Sequence, residues 1–139
     1  MATNDFAGRP GDDWDTMLDA GLAFLVERAK LRNLTSYTEL NTVLHRRTGC
    51  RPFNFEQDYE RAALGHLLGQ IVRRNHPETG VIISALVKYL NENDAGPGFY
   101  DMAVHYGKLP KRPRSEGYLF WASEVNRVYD YYAKPISKA

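Results

Sequence analysis

The sequence predicts a mainly helical α+β domain of winged-helix type, in which three helices are followed by a β-hairpin and further helices are added at the C-terminal end. Three observations lead to this prediction. Apolar residues recur at helical spacing in several segments, a β-branched run follows the third segment, and a turn rich in Asn, Gly and Pro comes next. Helices followed by a β-hairpin are the order of a winged helix-turn-helix.

Length and composition indicate the number of domains and the broad class of the protein. The chain has 139 residues and 43% hydrophobic residues, which is typical of one folded domain and excludes disorder of the whole chain. Residues 1–11 are expected to form a flexible arm, and residues 12–139 a single domain. No apolar run reaches the roughly 18 residues of a membrane span, and no apolar leader is visible. With the single cysteine Cys50, these features predict a cytoplasmic protein.

The first two helices have clear sequence signals. Apolar residues at spacings of three and four predict a helix over residues 13–32, with acidic residues at its start and basic residues at its end. Ser36 and Glu39 have the spacing of a capping box, which predicts a second helix over residues 37–47 that stops at Gly49.

The third helix is expected to begin near Asn54 and to end at Asn75, because Pro77 disfavours helical structure in the residue before it. A β-branched run over residues 81–89 then predicts a strand. Residues 91–98 predict a turn, with a short return strand near residues 95–98.

Two further helices are expected after this hairpin. The first covers residues 99–106 and is followed by a proline-broken basic loop over residues 108–114. The last covers residues 116–133, is capped by Ser115 and buries a stripe that includes Trp121.

The charge distribution favours an anionic partner for the second half of the chain. The net charge is +1, but residues 1–60 carry ten acidic against seven basic residues, and residues 61–139 carry seven acidic against eleven basic residues. Cations and polar side chains are what phosphates and base edges require. The candidate nucleic-acid-binding residues lie on the second and third helices, the hairpin and the basic loop: Tyr37, Arg61, His66, Gln70, Arg73, Arg74, Lys88, Lys108, Lys111, Arg112 and Arg114.

Two features of the third helix and its hairpin bear on DNA binding in opposite ways. Gly65 and Gly69 leave a strip of backbone bare, which allows a close approach to a duplex, but the same glycines could pack against another helix. The turn over residues 91–98 carries Glu92 and Asp94 and no basic residue, and an acidic tip is a poor wing for DNA. A solvated charged face remains an alternative interpretation of this helix.

Two segments resemble the DNA-binding domain of alkylguanine-DNA alkyltransferases. Residues 35–40, with sequence TSYTEL, are similar to the helix start that bears the family's tyrosine. Residues 61–65, with an asparagine and a proline downstream, are similar to its arginine-bearing recognition helix. In that family the arginine enters the space left by a flipped base and the tyrosine crowds the phosphate. The resemblance implies these two places for Arg61 and Tyr37.

The resemblance does not extend to alkyl transfer. Residues 83–87, with sequence ISALV, stand where the family has its Pro-Cys-His-Arg segment, so no nucleophilic cysteine is present there. The arginine-to-glycine spacing is one residue longer than in the family, and His76 separates Asn75 from Pro77. Residues 83–100 also resemble small uncharacterised bacterial proteins with the same order of elements.

Catalytic and metal sites have little support in the sequence. Cys50 and His45 lack an orienting acid at a telling position, and the four histidines show none of the spacings of metal-binding motifs. No glycine-rich phosphate-binding motif is present. We therefore predict a non-enzymatic protein that binds duplex DNA and has neither cofactor nor metal.

The alternative function is a protein-interaction or adaptor module. Aromatic residues crowd more than one face of the last helix, and excess aromatic area often marks an interface. A homodimer or a protein partner would then use four of these residues: Phe120, Trp121, Tyr131 and Tyr132. The other interpretation of the same pattern is a central helix that is packed on several sides.

Overall fold

The computed structural model describes residues 6–111 and 117–133. Within these residues lie five α-helices: α1 (Gly11–Lys30), α2 (Tyr37–Thr48), α3 (Asp58–Thr79), α4 (Pro97–His105) and α5 (Gly117–Tyr132). Two short strands and one 3-10 helix complete the order: β1 (Thr35–Ser36), the 3-10 helix (Ile83–Leu86) and β2 (Val87–Lys88). The prediction of a mainly helical domain with a small β component is confirmed.

A continuous buried segment lies at the centre of the fold. Every residue from Val81 to Val87 is buried, and this segment packs against both α3 and α5. The indole N–H of Trp121 on α5 donates to the Ala85 carbonyl at 2.7 Å. Helix α1 packs against α2, α3 and α5 on the other side of the core. The central segment thereby fixes the turn that follows it.

Helix α2 begins as its sequence predicts. The Ser36 hydroxyl accepts from the Glu39 N–H at 3.1 Å, and the helix ends at Gly49, whose φ is 74°. The Glu39 carboxylate accepts from the Thr35 hydroxyl and from Arg28 instead of returning to the Ser36 N–H. Only one of the two hydrogen bonds of a capping box is therefore formed.

Helix α3 begins and ends later than the sequence predicts. Asn54 accepts from the Glu56 N–H in a turn that precedes the helix, and the helix continues through Pro77 to Thr79. Pro77 lies in the last turn of α3 and is exposed. Proline has no backbone N–H, so the helix loses one hydrogen bond, but the loss falls near the C-terminal end, where the last carbonyls have no partner within the helix in any case. The helix ends at Gly80, with a φ of 71°.

The predicted strand over residues 81–89 is wrong for most of its length. Residues 83–86 form the 3-10 helix, and only Val87 and Lys88 of this run form a strand, β2. It pairs in parallel with β1, with Thr35 opposite Val87. A short apolar run cannot distinguish a buried strand from another buried segment, because periodicity is absent from both.

The predicted hairpin is reduced to a bridged turn over residues 88–95. Lys88 and Ala95 form an isolated antiparallel bridge, and the Tyr89 N–H donates to the Asp94 carbonyl at 2.9 Å. The return strand over residues 95–98 is not formed, since α4 begins at Pro97, a favourable residue for the first turn of a helix. Ser115, the predicted cap of the last helix, lies outside the described residues.

Residues 6–10 pack against the domain, although the sequence predicts a loose arm there. Phe6 and Arg9 exchange two backbone hydrogen bonds of 3.0 Å, and the Arg9 side chain is buried. The indole N–H of Trp14 donates to the Phe6 carbonyl at 3.0 Å. None of the helices in residues 6–111 and 117–133 has the length and apolar character that a membrane crossing requires.

Candidate nucleic-acid interface

A groove of about 420 Å³ runs between the first half of α3 and the turn before α4. Besides Tyr37 from α2, its lining comes from α3, from the bridged turn and from the start of α4: Asp58, Arg61, Ala62, Gly65, Tyr89, Pro97 and Gly98. An inner recess of about 20 Å³ adjoins it and shares Tyr37, Gly65 and Gly98 with it. The recess also reaches the buried Ser84 and the side chains of Phe99 and Met102.

The two glycines of α3 open onto this groove and recess. A Cβ atom at Gly65 would lie 3.5 Å from the Tyr37 hydroxyl, and one at Gly69 would lie 3.7 Å from the Met102 methyl group. Their nearest neighbours across the gap therefore come from α2 and α4, and the aromatic residues of α5 do not cover them. Larger side chains at these positions would fill the space that the glycines leave.

Tyr37 forms the floor of the groove. Its side chain is buried and packs against the rings of Tyr89, at 4.9 Å between centroids, and Phe55, at 5.7 Å. Burial, and to a smaller degree Tyr89, raise the pKa of the Tyr37 phenol, so it stays protonated at neutral pH. Within the described part of the chain the hydroxyl has no hydrogen-bond partner, and it lines both the groove and the recess.

Arg61 lies at the mouth of the groove and is held from two sides. Its guanidinium donates to the Phe55 carbonyl and pairs with Asp58, one turn earlier on α3. The Asp58 side chain is 94% exposed, whereas that of Arg61 is half-buried. Asp58 thus offsets part of the positive charge at the mouth.

Arg73 and Arg74 point in different directions. The Arg73 guanidinium lies 3.8 Å from the position of a Cβ on Gly69, which places it beside the recess. Arg74 faces α1, where Asp19 is 3.5 Å away. At about 100° per residue, Arg61 and Arg74 lie about 140° apart around the helix. The predicted single basic face is therefore divided: Arg61 lines the groove, Arg73 lies beside the recess at Gly69, and Arg74 faces α1.

His66 and Gln70 contribute less to the groove than predicted. The His66 ring lies against Phe6, at 4.4 Å between centroids, and edge-on to Trp14. Burial, and then Arg73, lower the pKa of His66, which favours the neutral ring. The side-chain amide oxygen of Gln70, Oε1, is buried and has no hydrogen-bond partner within the described residues. Neither residue lines the groove or the recess.

The candidate residues after α3 are spread over three environments. Lys88 is half-buried on β2, directly before the bridged turn. Lys108 donates to the Gly80 carbonyl at 2.8 Å and to the buried carboxylate of Glu124 at 2.9 Å, so its charge serves the fold. Lys111 is exposed, and Arg112 and Arg114 lie outside the described residues.

The four aromatic residues predicted to contact a partner are mostly occupied within the domain. Trp121 is buried, Phe120 packs on the Phe99 ring at 5.7 Å, and the Tyr132 hydroxyl accepts from Asn75 at 2.7 Å. Tyr131 is exposed. Trp121 is buried, as expected from its place on the buried stripe, and its indole anchors α5 to the central segment, so it does not present a free surface to a partner.

Several groove residues were missed by the sequence interpretation. Asp58 is three residues before Arg61, a spacing at which opposite charges meet on a helix, so the sequence alone could have predicted this ion pair. Ser84, Phe99 and Met102 line the recess only because the central segment and α4 meet α3, which no local pattern encodes.

Neither a metal cluster nor a cysteine site is seen in the described residues. His45 Nδ1 lies 2.9 Å from the Cys50 carbonyl oxygen, and the Cys50 thiol is buried. Within the described ranges, no three His, Cys, Asp or Glu side chains are grouped to hold a metal ion.

No family model matches the sequence, and no curated protein or solved structure matches it either. The interface is therefore interpreted from its own geometry.

Proposed function

We propose that this domain binds duplex DNA without catalysing a reaction, through the groove beside α3. The observation that carries the proposal is the position of two arginines. Arg61 stands at the mouth of the groove and Arg73 beside its recess, with two glycines of α3 between them. Cations at both ends of a glycine-lined helix surface suit a phosphate backbone that passes close to the helix.

The groove also suits a nucleotide drawn out of the duplex. Its volume lies within the range of about 300–1,000 Å³ that is common for ligand sites. A base in the groove would meet the apolar ring of Tyr37, and its phosphate would meet Arg61. The resemblance to alkyltransferases selects the same two residues but implies the opposite assignment, with Arg61 in the space left by the base and Tyr37 against the phosphate. The extruded nucleotide would be recognised and not alkylated or repaired here, since residues 83–87 stand where that family has its Pro-Cys-His-Arg segment and supply no nucleophilic cysteine.

The winged-helix interpretation belongs to the same proposal. Helices α2 and α3 would form the helix-turn-helix pair, and the bridged turn over residues 88–95 would be a short wing. Lys88 lies at the base of this turn and is the cation through which it would contact a phosphate. Lys111 would add a contact from the loop before α5.

The neighbouring arginines of α3 provide a matched test. Arg73→Glu and Arg74→Glu make the same change of charge, but only Arg73 lies beside the recess, whereas Arg74 faces α1. Fluorescence anisotropy with a labelled duplex at about 50 and 200 mM salt should show that Arg73→Glu weakens binding about tenfold or more and reduces the salt slope by about 0.9. Arg74→Glu should retain most of the affinity. Equal losses in both variants, or no binding by the unchanged protein at low salt, would contradict the proposal.

A mismatched duplex tests whether a nucleotide enters the groove. Extrusion is easiest where pairing is already lost, so a duplex with one mismatch should bind more tightly than a fully paired one. Gly65→Val would fill the space before the Tyr37 hydroxyl and should remove this preference while phosphate contacts remain. Equal affinity for both duplexes would restrict the function to the binding of paired DNA.

The adaptor alternative has its support at the start of α5. Tyr118 and Leu119 are neighbours in sequence and both are more than half exposed. An adaptor that uses them would show no retention on DNA at low salt and no response to Arg73→Glu.

A further inference from the structure

Arg9 is buried in a way that is unusual for arginine. Its side chain is only 2% exposed, although long cations are rarely buried unless they are paired. Nη2 donates to the Pro52 carbonyl at 3.1 Å and to Glu60 Oε1 at 3.0 Å, and Nη1 donates to the Arg51 carbonyl. The guanidinium carbon also lies 3.9 Å from the centroid of the Phe53 ring.

The acceptor of this pair sits one residue before Arg61. Glu60 is 1% exposed, and its Oε1 also accepts from the Asn54 N–H at 3.0 Å. Arg9 and Glu60 together therefore hold the backbone of residues 51, 52 and 54. Asn41 holds the intervening Phe53 carbonyl at 2.9 Å, and the Phe55 carbonyl, farther along the same loop, is the acceptor that holds the Arg61 guanidinium at the groove.

A buried ion pair such as this one is weak evidence of added stability. Arg9 Nε and Glu60 Oε2 are buried and have no partner among the described residues. Burial lowers the pKa of Arg9 more than any other cause does, which reflects the cost of removing its charge from water. Apolar residues of similar volume often replace buried ion pairs without loss of stability. The pair is better explained by the geometry that it imposes on its neighbours.

We propose that Arg9 is a positioning residue for Arg61: the Arg9–Glu60 pair fixes the loop over residues 51–55, and the loop carbonyl fixes the guanidinium at the mouth of the groove. This inference rests on the proposed DNA binding for its binding assay. It gives a role to residues 6–10, which do not line the groove but influence it through the loop that Arg9 holds.

The test replaces the whole pair so that no charge is left buried alone. Arg9→Met with Glu60→Leu keeps the net charge and is expected to fold; if it does not, Arg9→Lys replaces it, because lysine keeps the charge but loses the guanidinium fork that reaches three acceptors. Arg32→Met with Asp130→Leu, which removes an exposed pair between the turn after α1 and α5, is the matched control. Thermal unfolding and DNA anisotropy are measured on both, and again after adding Arg61→Ala.

The expected result is a non-additive one. The buried-pair variant should lose about tenfold in affinity, the cost of one charge-assisted contact, and Arg61→Ala should then cause little further loss. In the control background Arg61→Ala should have its full effect. Independent, additive losses in the buried-pair background would overturn the inference and leave a merely structural role.

A measurement without DNA separates this inference from the proposed function. In ¹⁵N spectra, rotation of the Arg61 guanidinium should be hindered in the unchanged protein and faster in the buried-pair variant, where only the Asp58 pair still holds it. If the protein binds no DNA, the proposed function fails, and these spectra alone decide the positioning role. Identical Arg61 spectra in both proteins would overturn it.

Discussion

Arg61 and Asp58 set the charge of the groove at the scale of single residues. Their pair lies within one turn of α3, and the Asp58 carboxylate is almost fully exposed. Exposed pairs of this kind contribute about 0–1 kcal/mol, so a phosphate can replace the carboxylate at little cost. While it remains, the carboxylate repels a DNA backbone that approaches the mouth. Asp58 is therefore expected to lower the affinity of the proposed site.

Asp58→Asn should strengthen DNA binding. Loss of one negative charge at the mouth is expected to raise affinity about threefold at low salt, and the gain should fade as salt increases. The free energy of unfolding should change by less than about 0.5 kcal/mol, because the side chain is exposed. Asp15→Asn, at an exposed position on α1, is the control. An equal gain in the control, or a loss with Asp58→Asn, would contradict this role of Asp58.

At the scale of elements, local signals predicted the helices better than the central segment. Apolar spacing placed α1, and the Ser36 cap and Gly49 placed both ends of α2. Residues 81–87 carry no period because they are buried on all sides, and the choice between strand and 3-10 helix was made by packing between α3 and α5. The short sheet joins β1 and β2, which are about fifty residues apart, and no local pattern reports such a pairing.

The candidate site was partly predictable for the same reason. Residue type and resemblance selected Tyr37, Arg61 and Arg73, and the structure places them at one groove or its recess. Sequence could not tell which cations are already paired. Arg74 faces Asp19, and Lys108 binds Glu124, through partners that are distant along the chain. A count of basic residues therefore overestimates the surface left for an anion.

Helix α5 supplies a prediction at this scale, because one hydrogen bond ties it to the central segment. Trp121→Phe keeps an aromatic ring but leaves the buried Ala85 carbonyl without its donor. An unpaired buried carbonyl costs about 1–3 kcal/mol, so the free energy of unfolding should fall by that amount in chemical denaturation. Leu119→Ala, on the exposed face, should change it by less than about 0.5 kcal/mol. A larger loss of unfolding free energy with Leu119→Ala than with Trp121→Phe would mean that α5 presents its other face to the core.

At the scale of the whole molecule, two histidines lie where separate parts of the chain meet. His66 joins α3 to the segment before α1 through Phe6, and to α1 through Trp14. His76, near the end of α3, stacks on Tyr106 at 3.8 Å between ring centroids. Burial is the largest cause that lowers the pKa of each ring, followed by Arg73 for His66 and by Lys108 for His76. Both contacts therefore favour the neutral imidazole.

The domain should consequently lose stability on mild acidification. His66 and His76 each have a folded-state pKa below the ordinary value of 6.5. As the pH falls through 6.5, the unfolded chain therefore binds more protons than the folded chain does. The stabilisation is complete above pH 6.5 and is lost progressively down to the folded-state pKa. Thermal midpoints should fall between about pH 7.5 and 5.5, before most carboxylates titrate, and the fall should shrink when His66→Gln and His76→Gln are combined. His45→Gln serves as the control. A fall of equal size in the double variant would mean that other groups cause the pH dependence and that the packing of these two rings does not depend on their charge.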